Sequence, residues 1–286
     1  MARAATAPPD PAALASDLSL LSTGDIDVIG RLVDASNATL YVTVTGPDRT
    51  VGAVYKPISG ERPLWDFPDD TLSLREVAAY RLAAWSGLDV VPPTVLRDGP
   101  FGTGSVQLWI GPDPGSDEPA AEPGAGVVDV VPAGEVPSGW LRVLDALGPR
   151  GQDVVLCHAD DQRLAAMAVF DVLANNADRK GGHILADRVG HGRRVYGVDH
   201  GLTFHVETKL RTVLWGWAGT RVPDDLLAVA DRVRGAVADG TVGDLLQGLL
   251  AEDELRALGR RAERLASSRR FPRPRGGGPA IPWPAF

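Results

Sequence analysis

Asn175-Asn176-Ala177-Asp178-Arg179-Lys180-Gly181-Gly182-His183-Ile184-Leu185 is the stretch whose reading decides the fold. It follows an apolar, helix-like run at residues 164–173 and leads into a short strand-like segment at 184–186. Between them lies a polar loop with one carboxylate, two cations, two glycines and an imidazole. Adjacent glycines let a backbone turn sharply and approach a ligand closely. After a turn at residues 190–192 comes Val195-Tyr196-Gly197-Val198-Asp199-His200-Gly201-Leu202, a strand ending on an aspartate with glycine close behind. Two strand-flanked carboxylates this near in sequence suit a hairpin that aims both at one metal–phosphate site. The same residues also read as two ordinary turns, since Asp and Gly are the commonest turn formers.

Working outward, the chain of 286 residues is long enough for one two-lobed domain or two small ones. Its 44% hydrophobic and 23% charged content describes a globular protein with a sizeable core. A net charge of −8 argues against nucleic acid as a main partner, because phosphate backbones need clustered Lys and Arg. A nucleotide stays open, since one loop and one lysine can hold phosphates inside an acidic protein. Cys157 is the only cysteine, so no intrachain disulfide forms and a reducing compartment follows. Residues 1–11 lack the apolar core of a signal peptide, and no window approaches the roughly 18 apolar residues of a membrane span. The expected location is cytoplasmic.

Residues 1–13 read as a disordered leader and 14–21 as a short helix. Residues 26–33, 38–44 and 51–57 read as three strands of an antiparallel meander, with β-branched enrichment and polar turns. The third ends Ala53-Val54-Tyr55-Lys56-Pro57, and the strand period puts Val54 and Lys56 on one face. A helix opens at Ser73-Leu74-Arg75-Glu76 and stops at Gly87. Ser73 and Glu76 have the spacing of a capping box, which by itself accounts for that glutamate. Leu74, Val77, Ala78 and Leu82 form an apolar face that packs on the sheet.

Residues 90–96 and 104–110 complete a five-stranded lobe over 14–110. Residues 111–126 form an acidic Pro/Gly-rich insertion with too little apolar surface to fold alone. A second lobe spans 127–266. It has a strand at 127–131 and helices at 140–146, 163–173, 223–237, 242–250 and 252–265. Cys157 and His158 have no second cysteine near them and read as buried structural residues. The aromatic pair of Trp215-Gly216-Trp217 reads as buried packing, and 267–286 as a disordered Arg/Pro/Gly tail whose Trp283 and Phe286 allow docking.

Asn176-Ala177-Asp178-Arg179 with His183 five residues after Asp178, then Asp199-His200-Gly201-Leu202-Thr203-Phe204, resembles the catalytic and metal-binding loops of the phosphatidylinositol 3-/4-kinase-like superfamily. The pattern is closest to the type II phosphatidylinositol 4-kinases, whose relatives include the HipA-type kinases, and a narrower actinobacterial kinase-like family is suspected within it. One position departs: His183 stands where the family carries a metal-binding asparagine. Tyr55-Lys56-Pro57 is similar to the family's Phe-Lys-Pro segment, and residues 75–80 to its helix.

The resemblance implies an α+β, two-lobed protein-kinase-like fold. Its N-lobe is a small antiparallel sheet with one helix, and its C-lobe is larger and mainly helical. It implies an ATP-dependent phosphotransferase using Mg²⁺ or Mn²⁺, with an unidentified lipid, protein or small molecule as acceptor. Lys56 would hold the α/β-phosphates and pair with Glu76, as a kinase helix glutamate does. Val54 would roof the adenine, Ser36 and Asn37 would cover the phosphates, and Trp109 and Ile110 would form the hinge against adenine. Phosphoryl transfer needs mainly positioning and charge neutralisation. On that logic Asp178 is the general base, Lys180 neutralises the γ-phosphoryl, Asp199 and His183 hold metal, and Arg179 braces the loop. A nucleotide-binding pseudokinase is the alternative that His183 favours, because Mg²⁺ prefers oxygen ligands. Transfer of AMP from ATP bound in another register is a third.

Overall fold

Helix α1 (Pro11–Thr23) opens the described chain and lies on a five-stranded antiparallel sheet. The structure is a computed structural model, and it describes residues 11–32, 37–117, 124, 126–186, 194–275 and 278–286. The sheet's strands are β1 (Asp25–Arg31), β2 (Leu40–Thr45), β3 (Thr50–Pro57), β4 (Thr94–Gly99) and β5 (Gly102–Leu108), in the order β1-β2-β3-β5-β4. Val42, Val44, Ala53, Tyr55 and Val106 turn to one face and bury against Leu20 and Leu21 of α1. The strand period then sends Val54 and Lys56 to the other face, where Val54 pairs with Tyr41 and Gln107, and Lys56 with Ser105. The helix thus begins at Pro11, inside the stretch expected to be a disordered leader; residues 1–10 lie outside the described residues.

Helix α2 (Leu72–Ser86) starts without the expected capping box. The carboxylate of Glu61 caps it instead, accepting from the Leu72 and Ser73 N–H groups at 3.0 and 2.7 Å. Ser73 Oγ donates to the Lys56 carbonyl, which ties the helix start to the end of β3. Glu76 is thereby free to point elsewhere.

Trp109 to Gly111 links this lobe to the second. At the start of the insertion Tyr41 donates to Asp113 at 2.6 Å and the Trp109 indole to Pro112, so the insertion leaves the lobe pinned to it. Residues 118–123 and 125 lie outside the described residues. The second lobe carries a three-stranded sheet, β6 (Val128–Pro132), β7 (Trp140–Leu147) and β8 (Asp153–Ala159), in the order β6-β8-β7. The helix expected at 140–146 is therefore a strand. A bulge between Arg142 and Leu144 breaks its period of two, and the broken pattern imitates helical spacing. Cys157 and His158 sit fully buried in the central strand β8.

Helix α3 (Gln162–Ala174) leads into the loop at 175–183, and β9 (Ile184–Ala186) pairs with β10 (Val195–Gly197) as an antiparallel hairpin. The turn read at 190–192 lies outside the described residues. Helices α4 (Asp224–Ala238), α5 (Thr241–Leu245) and α6 (Glu252–Ser268) complete the lobe. The helix expected over 242–250 ends early, and the chain turns there through Gly248 at φ 75°. One large apolar core joins α2, α3, α4 and α6. The expected disordered tail is, over its described residues, laid on this lobe. Ala280 accepts from Thr212 N–H and the Trp215 indole, and Ala285 from Gly181 N–H. Trp217 is buried between His158 and Phe271, as the packing reading of the aromatic pair expected. No described helix is long and apolar enough to cross a membrane.

Candidate active site

Lys56 reaches off β3 into the cleft between the lobes, and its Nζ lies 2.5 Å from Glu76 Oε1 and 2.7 Å from Asp199 Oδ1. Burial works against the ammonium charge, but Asp199 and Glu76 more than offset it, and the Lys56 pKa is raised. The Lys56 ammonium in turn holds the Asp199 carboxyl far below the usual carboxylate range. Glu76 divides its oxygens: Oε2 accepts the His200 backbone N–H at 2.9 Å. One helix residue thus fixes the lysine of the first lobe and the backbone just past Asp199 in the second. Asp199 itself sits at φ 58°, in the left-handed region where Asp is among the tolerated residues and where strain gathers at working sites.

Asp178 lies across from Asp199. Single donor atoms of Asp178, His183 and Asp199 all fall within 4.8 Å of one another, and His183 Nε2 is 3.5 Å from Asp199 Oδ2. Burial pulls the His183 pKa down to about 4, so the ring is neutral at physiological pH, and its Nδ1 is buried without a hydrogen-bond partner among the described residues. Burial raises the Asp178 pKa, against the pull of Lys180, whose Nζ is 3.2 Å from Asp178 Oδ2. A carboxylate desolvated in this way is a better proton acceptor than a solvated one. Two carboxylates and a neutral imidazole with a spare nitrogen form a donor set that fits a divalent cation of the Mn²⁺ or Mg²⁺ type.

The loop holding these groups is set from below by Arg179 and by Asp171, to which the sequence reading gave no role. Arg179 is fully buried and braces the loop; its guanidinium meets Asp171 at 3.0 Å, the Val198 carbonyl at 3.0 Å and His200 Nε2 at 2.7 Å. Gly197 leaves room for it, since a Cβ there would come within 2.7 Å of the guanidinium. Asp171 also accepts from Asn176 Nδ2, and Asn176 Oδ1 accepts the Asp178 N–H at 2.9 Å. The signal for this bracket was present: Asp171 interrupts an apolar helix between Phe170 and Val172, and a buried carboxylate needs a cation.

The remaining expected residues fall unevenly about the cleft. Val54 shares the Lys56 face of the sheet. The backbone N–H of Trp109 donates to the Gly52 carbonyl and its indole to the Pro112 carbonyl, while no described residue bonds the Ile110 N–H. Asn37 Oδ1 accepts the Arg62 N–H at 2.9 Å, which turns the side chain toward residues 58–62. Ser36 lies outside the described residues.

A sheet lobe with a lysine–glutamate pair, facing a helical lobe with a carboxylate loop and a carboxylate hairpin, makes a protein-kinase-like fold, and solved structures agree. The Golgi casein kinase superposes with a TM-score of 0.56 at 15% identity, over 91% of this chain and 74% of that one. The same kind of enzyme with Mn/ADP bound gives 0.54 at 14%, over 91% and 76%. The structure of hydra Fam20 with sugar gives 0.54 at 14%, over 91% and 89%. No protein-family model matches. In sequence the chain is 49% identical over 268 residues to Protein Rv2133c of Mycobacterium tuberculosis H37Rv, covering 94% of this chain and 95% of that protein. It belongs to the same family as Rv2133c.

Proposed function

We propose that this protein is an ATP-dependent phosphotransferase that passes the γ-phosphoryl group to a hydroxyl on a lipid, a protein or a small molecule. The observation that carries the proposal is the convergence of Lys56, Glu76, Asp178, His183 and Asp199 on one cleft. The ligand of the Golgi casein kinase structure with Mn/ADP supports nucleotide and divalent metal as the pair to test. In this reading Lys56, held by Glu76, binds the α- and β-phosphates. Asp199 and His183 hold the cation, which would neutralise charge on the phosphates. Asp178 orients the acceptor hydroxyl and takes its proton, and Lys180 stabilises the transferring group. The finer assignment, to the phosphatidylinositol 3-/4-kinase-like type, rests on the sequence motifs. His183 also supports a second reading, in which nucleotide is bound and not turned over.

Thermal-shift titration with MgATP and MnATP tests the common part. A ligand that binds only the folded state stabilises it by about 2.7 kcal/mol at 100 times its dissociation constant. No shift at millimolar nucleotide with either metal overturns both readings. Incubation with cell extract and ATP labelled at the γ or the α position separates them: γ-label in a product means phosphoryl transfer, α-label means AMP transfer, and neither means binding alone. Lys56→Ala and Asp199→Asn are expected to weaken nucleotide binding, while Asp178→Asn keeps binding and loses turnover, because its role begins as the hydroxyl is deprotonated.

A further inference from the structure

A second cavity lies beside the start of the loop at Asn175, walled by α6, the 207–211 segment and residues 270, 272, 273, 275 and 278–280, with a volume of about 610 Å³. That size is in the range of small-molecule sites, roughly 300–1,000 Å³. Lys56, Val54 and Asp199 take no part in its walls. Seven cationic side chains line it against one carboxylate, Glu207, in a chain whose net charge is −8. The imbalance is therefore local. Lys209 is paired with Asp66 at 2.8 Å, but Arg211, Arg264 and Arg273 have no carboxylate partner among the described residues.

Arg261 supplies an independent observation. It is only 6% exposed, and its Nε and Nη1 donate to the carbonyls of Leu173 and His205 at 2.8 and 3.1 Å. Arg261 is among the residues lining the cavity, and its Nη2 is buried with no hydrogen-bond partner among the described residues. A buried charged donor left unmade is costly, so an acceptor is missing from its surroundings. Burial, with Arg264 and Arg260 beside it, pulls the Arg261 pKa down to about 9, a sign of uncompensated positive potential.

We propose that this cavity is a binding site for a ligand bearing several phosphate groups. Guanidinium forks match phosphate oxygens two at a time, and several unpaired forks around one space call for more anionic oxygens than a single carboxylate offers. Trp215, Leu210 and Leu265 give the same cavity an apolar side for an organic body. The site also touches the catalytic loop: the Arg211 N–H donates to the Asn176 carbonyl at 2.9 Å. The binding claim stands apart from phosphoryl transfer and is tested without it.

Inorganic tripolyphosphate is titrated onto the full chain in EDTA, by calorimetry, at two salt concentrations. Binding is expected to weaken with salt, to fall at least 10-fold in Arg264→Glu and in Arg273→Glu, both exposed and free to be changed without unfolding the core, and to persist in Lys56→Ala. Sedimentation with phosphatidic-acid vesicles is the second arm. Vesicle binding that Arg264→Glu removes identifies the phosphates as lipid headgroups, and binding of tripolyphosphate alone identifies a soluble ligand. Binding in neither arm, or binding lost in Lys56→Ala and untouched by both arginine changes, overturns the site.

Discussion

At the scale of single residues, His183 is the group whose chemistry most constrains the cleft. A neutral imidazole coordinates Mn²⁺ more readily than Mg²⁺, which favours carboxylate and water oxygens. Its Nε2 stands 3.5 Å from Asp199, and its Nδ1 is buried with no hydrogen-bond partner among the described residues. His183→Asn is therefore expected to keep nucleotide binding and to move the Mn²⁺/Mg²⁺ affinity ratio toward Mg²⁺ by about 10-fold, roughly 1.4 kcal/mol. ADP titrations in each metal read this directly, and an unchanged ratio would remove His183 from the metal site. Most groups that meet at the cleft were legible because they are charges in places where charge is unusual: Lys56 closing an apolar strand, Asp178 in a glycine-bearing loop after an apolar helix, and Asp199 just past a strand between two glycines. What the sequence hid was the choice between two uses of one residue. Glu76 has the spacing of a cap and also the reach of a lysine partner, and only the presence of Glu61 across the helix start decides between them.

At the scale of elements, α2 carries Glu76 and must be held against the second lobe. Arg75, on the same helix and fully buried, does this: its Nη2 meets Glu254 of α6 at 2.5 Å, its Nη1 the Thr203 carbonyl at 2.6 Å, and its guanidinium lies over the Phe67 ring. Removing one partner of a buried pair leaves an uncompensated charge and costs about 3–5 kcal/mol, whereas replacing both with apolar groups is often neutral. Glu254→Ala should thus lose stability of that order in urea unfolding, and Arg75→Met with Glu254→Leu should recover most of it. Equal losses in the single and double variants would mean that the pair is not what secures α2. This contact joins residues far apart in the chain, and no local pattern announces it. Local pattern also failed at β7, where a bulge disguised a strand, and served well wherever alternation ran unbroken, as in β2, β3 and β5. The tail was misjudged for a related reason. Its composition reads as unfolded, yet its carbonyls at Ala280 and Ala285 find donors that only the assembled lobe presents.

At the scale of the whole molecule, stability should depend on pH through a histidine far from the cleft. His158 is fully buried in β8; its Nδ1 donates to the Ala159 carbonyl at 2.9 Å, its Nε2 accepts the Gly216 N–H at 3.1 Å, and its ring packs on Trp217. Every polar atom of the neutral ring is satisfied, and a second proton would have to displace the Gly216 donor. Burial lowers its pKa, only partly opposed by the Ala159 carbonyl and Asp160. The folded chain therefore holds fewer protons here than the unfolded chain once pH drops below the free-histidine value of about 6.5. Because the folded pKa is depressed, the stabilising contribution is complete above that value and is lost as pH falls toward the folded pKa, at up to about 1.4 kcal/mol per pH unit for one group. Gln at this position can offer the same amide donor and acceptor and does not titrate. Urea unfolding of wild type and His158→Gln between pH 7.5 and 5.5 should give a shallower loss of stability in the variant, by one proton's slope. Parallel curves for the two proteins would show that His158 takes up its proton without opposing the fold.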